Sequence, residues 1–442
     1  MNLMDPTTDN RLRRKVAMHT ISYCFRFNAF VLILFFMAFS LRSAEPSDQQ
    51  VLTSAIEKGK LAANYWVKNS GANTGSDYYA DICSYYGACL FGDAQKDSSY
   101  FKDINNRYTR TSAILTDNID HCSCGILPLH LYLHSGKSNQ LQLGKNAADA
   151  NIQKGGFVRN AIDDTYMTGS LMIQAYRATN DKKYLDFCAD FITKYMKNLQ
   201  QSNGLYWHHG DLSHQFWGRG NGWGAASSAE MMQELPQDHA KYNDALAAYK
   251  KHMKGLIDVQ LTSGMWPQLL GSTDSRNWEE SSGTAMFVFA LFTGLELGIL
   301  DKETYLTPAK KGWMALISHL GSDGKLKDIA AGFWPSVGDA NEYLNASRAA
   351  AGNSHGTAGF LWAATAIVRY YSSLTHTIAG MPFSTFRPQQ EVLNGIPLQH
   401  TVFYDLQGRT LSATEFYGKI IIPSSRVIRY GQTQKKGLMI IR

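Results

Sequence analysis

The 442-residue chain has little of what marks several common protein classes. It holds six cysteines and 11 prolines, and the cysteine spacings fit neither a zinc motif nor a disulfide framework, although a bridge between the regions of Cys83 and Cys122 stays open. The sequence contains no Walker loop, no dinucleotide-binding glycine fingerprint, no His-Glu-x-x-His motif and no Gly-x-Ser-x-Gly elbow. Nucleotide-dependent enzymes, zinc peptidases and α/β serine hydrolases are therefore disfavoured.

Net charge is also small once the first segment is set apart. The formal charge is +6, but residues 1–44 carry six of the 43 Lys and Arg and only two of the 37 Asp and Glu. The remainder of the chain therefore has a net charge of only +2. A balance this close to neutral gives no reason to expect nucleic acid as a partner.

Residues 1–44 have the pattern of a signal peptide. The basic segment Arg11–Lys15 precedes an apolar run over 27–41, which is too short for a convincing membrane span. We therefore expect the protein to be exported, to the periplasm or out of the cell. The alternative is that this leader stays as an uncleaved, lipid-free anchor, the one route by which we expect the chain to contact a membrane.

Helical periodicity dominates from residue 47 to residue 375, and no convincing strand pattern is found before residue 380. The predicted helices are 49–69, 78–91, 99–115, 121–135, 138–152, 164–178, 181–200, 223–235, 239–260, 283–298, 301–320 and 357–374. Twelve helices in six hairpins favour an all-α fold, an (α/α)6 barrel, over an open solenoid, because no fixed-length repeat is present. The charged helix 239–260 is expected in the outer ring, and 223–235 and 283–298 in the inner ring.

The helical periodicity of the sequence ends near residue 380. Prolines and short apolar runs at 400–404, 420–422 and 438–441 predict a small β-rich module over 381–442. It resembles the C-terminal tails of secreted proteins of Bacteroidetes-type bacteria, and either a sorting role or a purely structural one fits. The expected domains are thus the signal peptide 1–44, a barrel catalytic domain 45–375 and this module.

The stretch 204–223 carries the strongest functional signal. It combines aromatic rings with a few polar groups, namely Trp207, His208, Trp217, Arg219 and Trp223. Flat rings stack on the apolar faces of sugars, polar side chains bind the sugar rim, and an Arg fork matches a carboxylate. The glycines on both sides of Arg219 predict a tight loop that approaches a ligand closely. The stretch therefore favours a carbohydrate site.

Four further segments hold candidate polar groups. Asp120 and the pair Asp163-Asp164 each stand at the start of a predicted inner helix, where a capping role is the competing explanation. Trp266 and Glu280 lie ahead of the helix at 283–298, and His355 precedes the last helix. Each of these residues alone fits a structural role as well as a functional one.

Residues 110–375 resemble glycoside hydrolase family 105, the unsaturated rhamnogalacturonyl hydrolases, which are related to the unsaturated glucuronyl hydrolases of family 88. The motifs that carry the resemblance lie at 217–223, 265–268, 280–287 and 298–305. The family fold is an (α/α)6 barrel, and no metal or cofactor is implied. Matching positions make Asp163 and Asp120 the catalytic carboxylates and His208, Arg219 and Trp223 substrate-binding residues. We add Trp207, Trp217, Trp266 and His355 as sugar-binding candidates.

The implied substrate is an oligosaccharide left by a polysaccharide lyase, with a 4,5-unsaturated uronic acid at its non-reducing end. Asp163 is expected to stay protonated in an apolar site and to donate to C4, and the helix register predicts that Asp163 is buried while Asp164 lies off the buried face. The alternatives are a conventional inverting glycosidase using Asp163 and Glu280, and a non-catalytic sugar-binding protein. The sequence does not determine the oligomeric state.

Overall fold

The computed structural model describes residues 45–377 except Phe333, together with four strands of the C-terminal segment. The signal peptide expected at 1–44 lies outside the described residues. The chain forms two compact units, Met1–Phe383 and Ser384–Arg442. The domain limits 1–44, 45–375 and 381–442 remain predictions, and each unit is described by itself below.

The described part of the first unit is built from fourteen α-helices. They are α1 (Asp48–Asn64), α2 (Tyr79–Gln95), α3 (Ser99–Arg107), α4 (Ile119–Ser123), α5 (Ile126–Ser135), α6 (Ser138–Gln153), α7 (Asp164–Thr179), α8 (Lys182–Leu199), α9 (Gly218–Glu234), α10 (Tyr242–Asp258), α11 (Ser281–Glu296), α12 (Lys302–Leu316), α13 (Ala340–Leu344) and α14 (Ser354–Thr377). A short π-helix, Tyr65–Asn69, extends α1, and a 3₁₀ turn, Ile317–His319, extends α12.

These helices close into a double ring. The inner ring runs α2, α4 with α5, α7, α9, α11 and α14, and each member packs against the next, with α14 returning to α2. The outer helices α1, α3, α6, α8, α10 and α12 alternate with them along the chain. The prediction of an all-α (α/α)6 barrel of six hairpins is therefore confirmed.

Burial explains which helices line the inside. The outer helix α8 buries one stripe at steps of three or four residues, including Leu185, Cys188, Ile192 and Tyr195, as an amphipathic helix does. In α9 and α11 nearly every residue is buried. Such helices have neighbours on both sides, so α9 and α11 occupy the inner ring and α10 the outer ring, as the sequence predicts.

The glycine-rich run 218–222 is not a loop, which corrects one expectation. It forms the first turn of α9. A methyl group at Gly218 would meet the carbonyl oxygen of Pro267 at 2.7 Å, and one at Gly222 would meet the Met286 sulfur at 2.8 Å. The glycines therefore serve close helix packing rather than a loop turn.

Other departures are local. The predicted helix 121–135 is interrupted between α4 and α5, and the predicted helix 99–115 ends at Arg107. Two short strands, β1 (Ile329–Ala330) and β2 (Arg348–Ala349), pair antiparallel, although no strand was expected before residue 380. Two-residue strands are too short for an alternating pattern to reveal them.

In the second unit four strands form one sheet, in the order β4-β3-β6-β5. The strands are β3 (Phe403–Tyr404), β4 (Thr410–Leu411), β5 (Ile428–Thr433) and β6 (Lys436–Ile441). The apolar runs at 400–404 and 438–441 overlap β3 and β6, whereas the run at 420–422 lies outside the described residues. A β-rich tail is therefore confirmed.

Two further findings concern the described residues only. None of their helices is both long and apolar enough to cross a membrane. All five of their cysteines, Cys83, Cys89, Cys122, Cys124 and Cys188, are buried free thiols, so the disulfide that the sequence left open between Cys83 and Cys122 is not formed.

Contact between the first turns of α9 and α11 predicts an unequal response to two glycine substitutions. In Gly283→Ala the new methyl group would lie 2.8 Å from the backbone of Gly218, which cannot move aside. We expect unfolding in urea to show a loss of about 1–3 kcal/mol. Gly169→Ala is the control, because the one tight contact of its methyl group, at 2.8 Å, is with the flexible end of the Ile192 side chain. Equal stability of the two variants would contradict this packing.

Candidate active site

The candidate site lies where the inner helices begin. Because inner and outer helices alternate, the N-termini of the inner helices share one end of the barrel. Asp163 directly precedes α7, Asp120 and Arg219 lie in the first turns of α4 and α9, and His355 lies in the first turn of α14. Helix N-termini present unpaired N–H groups and a positive dipole end. This end of the barrel is therefore suited to anionic groups.

The two adjacent carboxylates of α7 face different surroundings. Asp163 is slightly exposed, and its Oδ2 lies 3.4 Å from Nε2 of His208 without a well-aligned hydrogen bond. Asp164 is fully buried and accepts hydrogen bonds from the Tyr195 hydroxyl at 2.6 Å and from the backbone N–H of Arg159 at 2.7 Å. The expectation that Asp164 lies off the buried face is wrong, since α8 covers it.

Arg159 joins two of the carboxylates. Its Nε donates to Asp164 Oδ1 at 2.6 Å, and its Nη1 donates to Asp120 Oδ2 at 3.0 Å. The guanidinium also lies 5.5 Å from the ring centre of Trp334. Asp164 is therefore an anchor that orients Arg159, and Arg159 in turn positions Asp120 next to Asp163.

The pKa values of the two candidate catalytic carboxyl groups shift in opposite directions. Burial opposes ionisation of Asp163, but the contact with His208 and the charges of Arg159 and Arg219 outweigh it and hold its pKa below the ordinary value. Burial raises the pKa of Asp120, Arg159 offsets part of this rise, and the charge of Asp163 adds to it. The expectation of a protonated Asp163 in the free protein is therefore wrong, because its environment is cationic rather than apolar.

A chain of hydrogen bonds runs from His208 to the backbone. The Ser213 hydroxyl donates to the carbonyl of Gly338 at 3.2 Å, and the Tyr343 hydroxyl donates to Ser213 Oγ at 2.6 Å. The Tyr343 oxygen lies 2.7 Å from Nδ1 of His208 and is left to accept. We infer that Nδ1 carries a proton and donates it to Tyr343, so that Nε2 is the ring nitrogen that faces Asp163. Asp163 and Nε2 can then share one proton.

Arg219 is a buried cation whose hydrogen-bond partners are neutral. Its Nη1 and Nη2 donate to the carbonyl oxygens of Ala330 and Ala331, the second at 3.0 Å, and its charge lies 4.6 Å from the ring centre of Trp217. Its Nε is buried without a hydrogen-bond partner, and it forms no ion pair among the described residues. A buried charge without a counterion is costly, which leaves the site short of one negative charge.

The four candidate tryptophans lie in different places. Trp217 packs against His208 and Arg219, and Trp223 lies deeper, among Tyr79, Tyr166 and Trp362 of the inner helices. Trp207 instead stacks on His214 at 3.8 Å. Trp266 is fully buried, with its N–H donating to Leu256 of α10. The structure therefore brings Trp217 to the site. It places Trp266 in the hydrophobic core between the inner and outer rings of helices.

His355 closes another side of the site. Its Nδ1 lies 3.0 Å from Asn353 Oδ1, and its Nε2 lies 2.8 Å from the Tyr79 hydroxyl. Burial, helped by the charge of Arg219, holds the pKa of His355 well below the ordinary value. His355 is thus neutral and orients the side chain of Tyr79, which is the first residue of α2.

Glu280 has a structural role in this arrangement. Its carboxylate accepts hydrogen bonds from the N–H of Ser282 at 2.9 Å, of Gly283 at 2.6 Å and of Ala330 at 3.0 Å, and also from the Ser282 hydroxyl. It therefore caps α11 and fixes β1, whose Ala330 carbonyl holds Arg219. Its side chain is buried and occupied by these donors.

Three residues of the site were not identified from the sequence. Arg159 and Tyr343 lack a motif of their own and are recognisable only through partners distant in the chain. Trp334 is nearly half exposed and lies near His208 and Arg159, and its place between Gly332 and Pro335 was a usable sequence signal for an aromatic loop. Around Asp163 the described residues include no group of three or more His, Cys, Asp or Glu with metal-ligand spacing.

Ionisation of Asp163 predicts a pH-dependent effect of Asp163→Asn on stability. Because the pKa of Asp163 is lowered on folding, its contribution is present above the unfolded value of 3.8 and is lost as pH falls through the folded value. We expect the variant to be less stable at pH 7, by about 1.4 kcal/mol for each unit by which folding lowers the pKa, with a smaller difference below pH 4. Thermal unfolding across pH measures this. A variant more stable than the native protein at pH 7 would contradict the assignment.

Two of the similar curated proteins are named as hydrolases of unsaturated uronides. An unsaturated 3S-rhamnoglycuronyl hydrolase of Alteromonas sp. (strain LOR) is 31% identical over 173 residues, 37% of this chain and 42% of that protein. An unsaturated rhamnogalacturonyl hydrolase of Bacillus subtilis (strain 168) is 25% identical over 177 residues, 38% and 49% of the two chains. The chain thus spans less than half the length of these curated relatives.

Solved structures share the barrel. A family 105 glycoside hydrolase of C. acetobutylicum ATCC 824 has a TM-score of 0.63 and 22% identity, covering 71% of this chain and 99% of its own. A family 88 glycosyl hydrolase from Bacteroides vulgatus has a TM-score of 0.61 and 19% identity, covering 72% and 99%. The family model of Glycosyl Hydrolase Family 88 matches residues 63–371, well over half of the chain. The chain therefore belongs to Glycosyl Hydrolase Family 88.

Proposed function

We propose that this protein hydrolyses oligosaccharides that carry a 4,5-unsaturated uronic acid at the non-reducing end, the products of polysaccharide lyases. The names of the curated relatives, unsaturated rhamnoglycuronyl and rhamnogalacturonyl hydrolases, support this substrate class. The observation that carries the proposal is a buried cation without a counterion, Arg219, whose charge acts on Asp163. A uronate carboxylate supplies the negative charge that the site lacks.

The reaction is hydration of the C4=C5 double bond. Asp163 donates a proton to C4, water adds to C5, and Asp163 or Asp120 accepts the proton that the water loses. The product at C5 is a hemiketal, which opens and releases the next sugar. Two carboxyl groups with pKa values shifted in opposite directions suit an acid and a base that work in turn. The chemistry uses no metal and no cofactor.

Substrate binding supplies the protonated form of Asp163 in this proposal. In the free protein Arg219 is one of the charges that keep Asp163 ionised. A bound uronate neutralises Arg219 and excludes water, and both effects raise the pKa of Asp163. The proton shared with His208 then moves to Asp163 across their 3.4 Å contact. The acid thus forms only when a carboxylate-bearing substrate is present.

Aromatic side chains give the sugar its platform. Trp217 lies against His208 at 4.6 Å between ring centres, and the more exposed Trp334 lies 6.2 Å from the same ring. Trp217 is buried, so the exposed ring of Trp334 is the one that offers stacking surface to a sugar. We therefore assign sugar binding to Trp334, while the buried Trp217, Trp223 and His355 support the site from beneath.

The two alternatives have less support. A conventional inverting glycosidase that uses Asp163 and Glu280 lacks a free second carboxylate, because Glu280 is occupied by four donors. A non-catalytic sugar-binding protein needs exposed aromatic rings for the sugar. It does not need a histidine beside a carboxylate, nor a chain of hydrogen bonds that fixes which nitrogen of that histidine carries the proton. The arrangement of His208, Tyr343 and Ser213 therefore favours a catalytic site over a binding site alone.

Export is part of the proposal. It rests on the basic and apolar pattern of residues 1–44, and it places the catalytic domain in the periplasm or outside the cell. Lyase products arise where polysaccharides are degraded, which fits that location. Mass determination of the N-terminus of the protein isolated from its source would test cleavage near residue 44.

Reaction in D₂O with matched substrates tests the proposed activity. We expect loss of the ultraviolet absorbance of the unsaturated uronide, one deuterium at C4 of the product, and no turnover of the corresponding saturated oligosaccharide. Lyase digests of pectin, ulvan and glycosaminoglycans give the panel. Turnover of the saturated substrate, or a product without deuterium at C4, would favour the inverting glycosidase instead.

Substitutions of Asp163 and Glu280 should separate chemistry from structure. Asp163→Asn removes the proton donor, so we expect kcat to fall by at least about 10²–10⁴-fold. Glu280→Gln should mainly lower the unfolding temperature, since its role is to accept backbone N–H groups. The proposal fails if folded Asp163→Asn turns over at a near-native rate while folded Glu280→Gln is inactive.

Arg219→Gln tests recognition of the carboxylate. It should weaken binding of unsaturated uronides by about 2–5 kcal/mol, the loss expected when one partner of a buried charge pair is removed. A substrate with a methyl-esterified uronate is the control, because it cannot pair with Arg219 and should be affected much less. Equal losses for both substrates would show that Arg219 does not bind the carboxylate.

A further inference from the structure

Asp93, His130 and His134 form a second polar cluster at the other end of the barrel, which the proposed reaction does not use. Asp93 lies near the end of α2, and the two histidines lie on α5. Tyr79, at the active-site end of α2, precedes Asp93 by 14 residues, which is about 21 Å along a helix. The cluster is thus separate from the site around Asp163.

The three side chains have the spacing of metal ligands. Asp93 Oδ2 lies 3.4 Å from His130 Nε2 and 3.2 Å from His134 Nε2, and all three atoms lie within 4.8 Å of one another. Ligands placed tetrahedrally at about 2.0–2.1 Å from one ion are about 3.3–3.4 Å apart. His130 and His134 are one helical turn apart, so both rings reach the same side of α5.

A second observation also indicates a ligand. His130 is almost completely buried, and its Nε2 has no hydrogen-bond partner although it points to Asp93. Neither histidine forms a well-aligned hydrogen bond with Asp93, and 3.2–3.4 Å is long for a charge-assisted bond. Metal coordination accounts for both features, because a buried imidazole nitrogen without a partner is otherwise costly.

Neighbouring side chains hold the two imidazole rings in place. Tyr86 contacts His130 edge to face with ring centres 5.2 Å apart, and Phe101 lies 4.9 Å from His134. Arg177 is the nearby cation that would oppose a metal ion, and Glu234 pairs with it at 2.8 Å. Asp93 and His134 are each about a quarter exposed, which leaves a route for an ion and room for water.

We propose that Asp93, His130 and His134 bind one Zn²⁺ ion, with water as the fourth ligand. Two imidazoles and one carboxylate suit zinc, whereas Mg²⁺ and Ca²⁺ prefer oxygen ligands throughout. The ion joins α2 to α5, two neighbouring members of the inner ring. Because zinc would bind the folded chain only, it stabilises the barrel at the end away from the active site.

Zinc titration of the full, chelator-treated chain tests this proposal. Calorimetry should give one Zn²⁺ per chain, and the unfolding temperature should rise with ZnCl₂ but not with MgCl₂. Bound Co²⁺ should show the visible absorption of a tetrahedral ion. We expect His134→Asn and Asp93→Asn to weaken zinc binding by about tenfold or more, or about 1.4 kcal/mol. His134 is partly exposed, so its variant should still fold.

Two controls distinguish this cluster from other histidines. His239 lies 3.2 Å from Asp186 without a third ligand, so His239→Gln should bind zinc like the native chain. His208→Asn should also leave zinc binding unchanged, because His208 belongs to the active site. Native zinc affinity in His134→Asn, loss of binding in His208→Asn, or an equal response to MgCl₂ would each overturn the proposal.

Discussion

The site depends on one geometric constraint, the shared direction of the inner helices. Alternation with outer helices brings the N-termini of α2, α4, α7, α9, α11 and α14 to one end of the barrel. The unpaired N–H groups at these ends favour negative charge. Carboxylates therefore collect there, and each is given a different task by its neighbours: Asp164 orients Arg159, Glu280 caps α11, and Asp163 faces His208.

Much of the fold was predictable because hydrophobic periodicity is a local property. The order and number of barrel helices, and the inner position of α9 and α11, follow from which faces are apolar. Contacts between residues far apart in the chain were harder to predict from the sequence. Tyr343 reaches His208 across 135 positions, and Arg159 reaches Asp120 across 39. No short motif encodes such contacts, so these residues became visible only in the folded chain.

The roles of adjacent residues in α7 show the limit of helical register as an argument. The helical register correctly places Asp163 and Asp164 on different faces of α7. The prediction also assumed that one face of this helix contacts solvent. In a double ring the side away from the centre faces the outer helices, and Tyr195 of α8 covers Asp164. Likewise the glycines before Trp223 resemble a loop in the sequence, although they serve the contact between α9 and α11.

Protonation is a property of the whole cluster of charges rather than of burial alone. Burial opposes ionisation of both Asp163 and Asp120, yet their pKa values move in opposite directions. At Asp163 the contact with His208 and the charges of two arginines outweigh burial, whereas at Asp120 Arg159 offsets only part of its effect. A sequence shows which residues will be buried far better than it shows which charges will be adjacent. In the proposed reaction the same balance gives the site its selectivity for a carboxylate-bearing substrate. Cations that keep Asp163 ionised in the free protein attract a carboxylate, and the arriving carboxylate removes their effect. Under the proposed function the acid is then produced by the substrate that needs it, and a neutral sugar that fits the same aromatic surfaces would leave Asp163 ionised and unreactive.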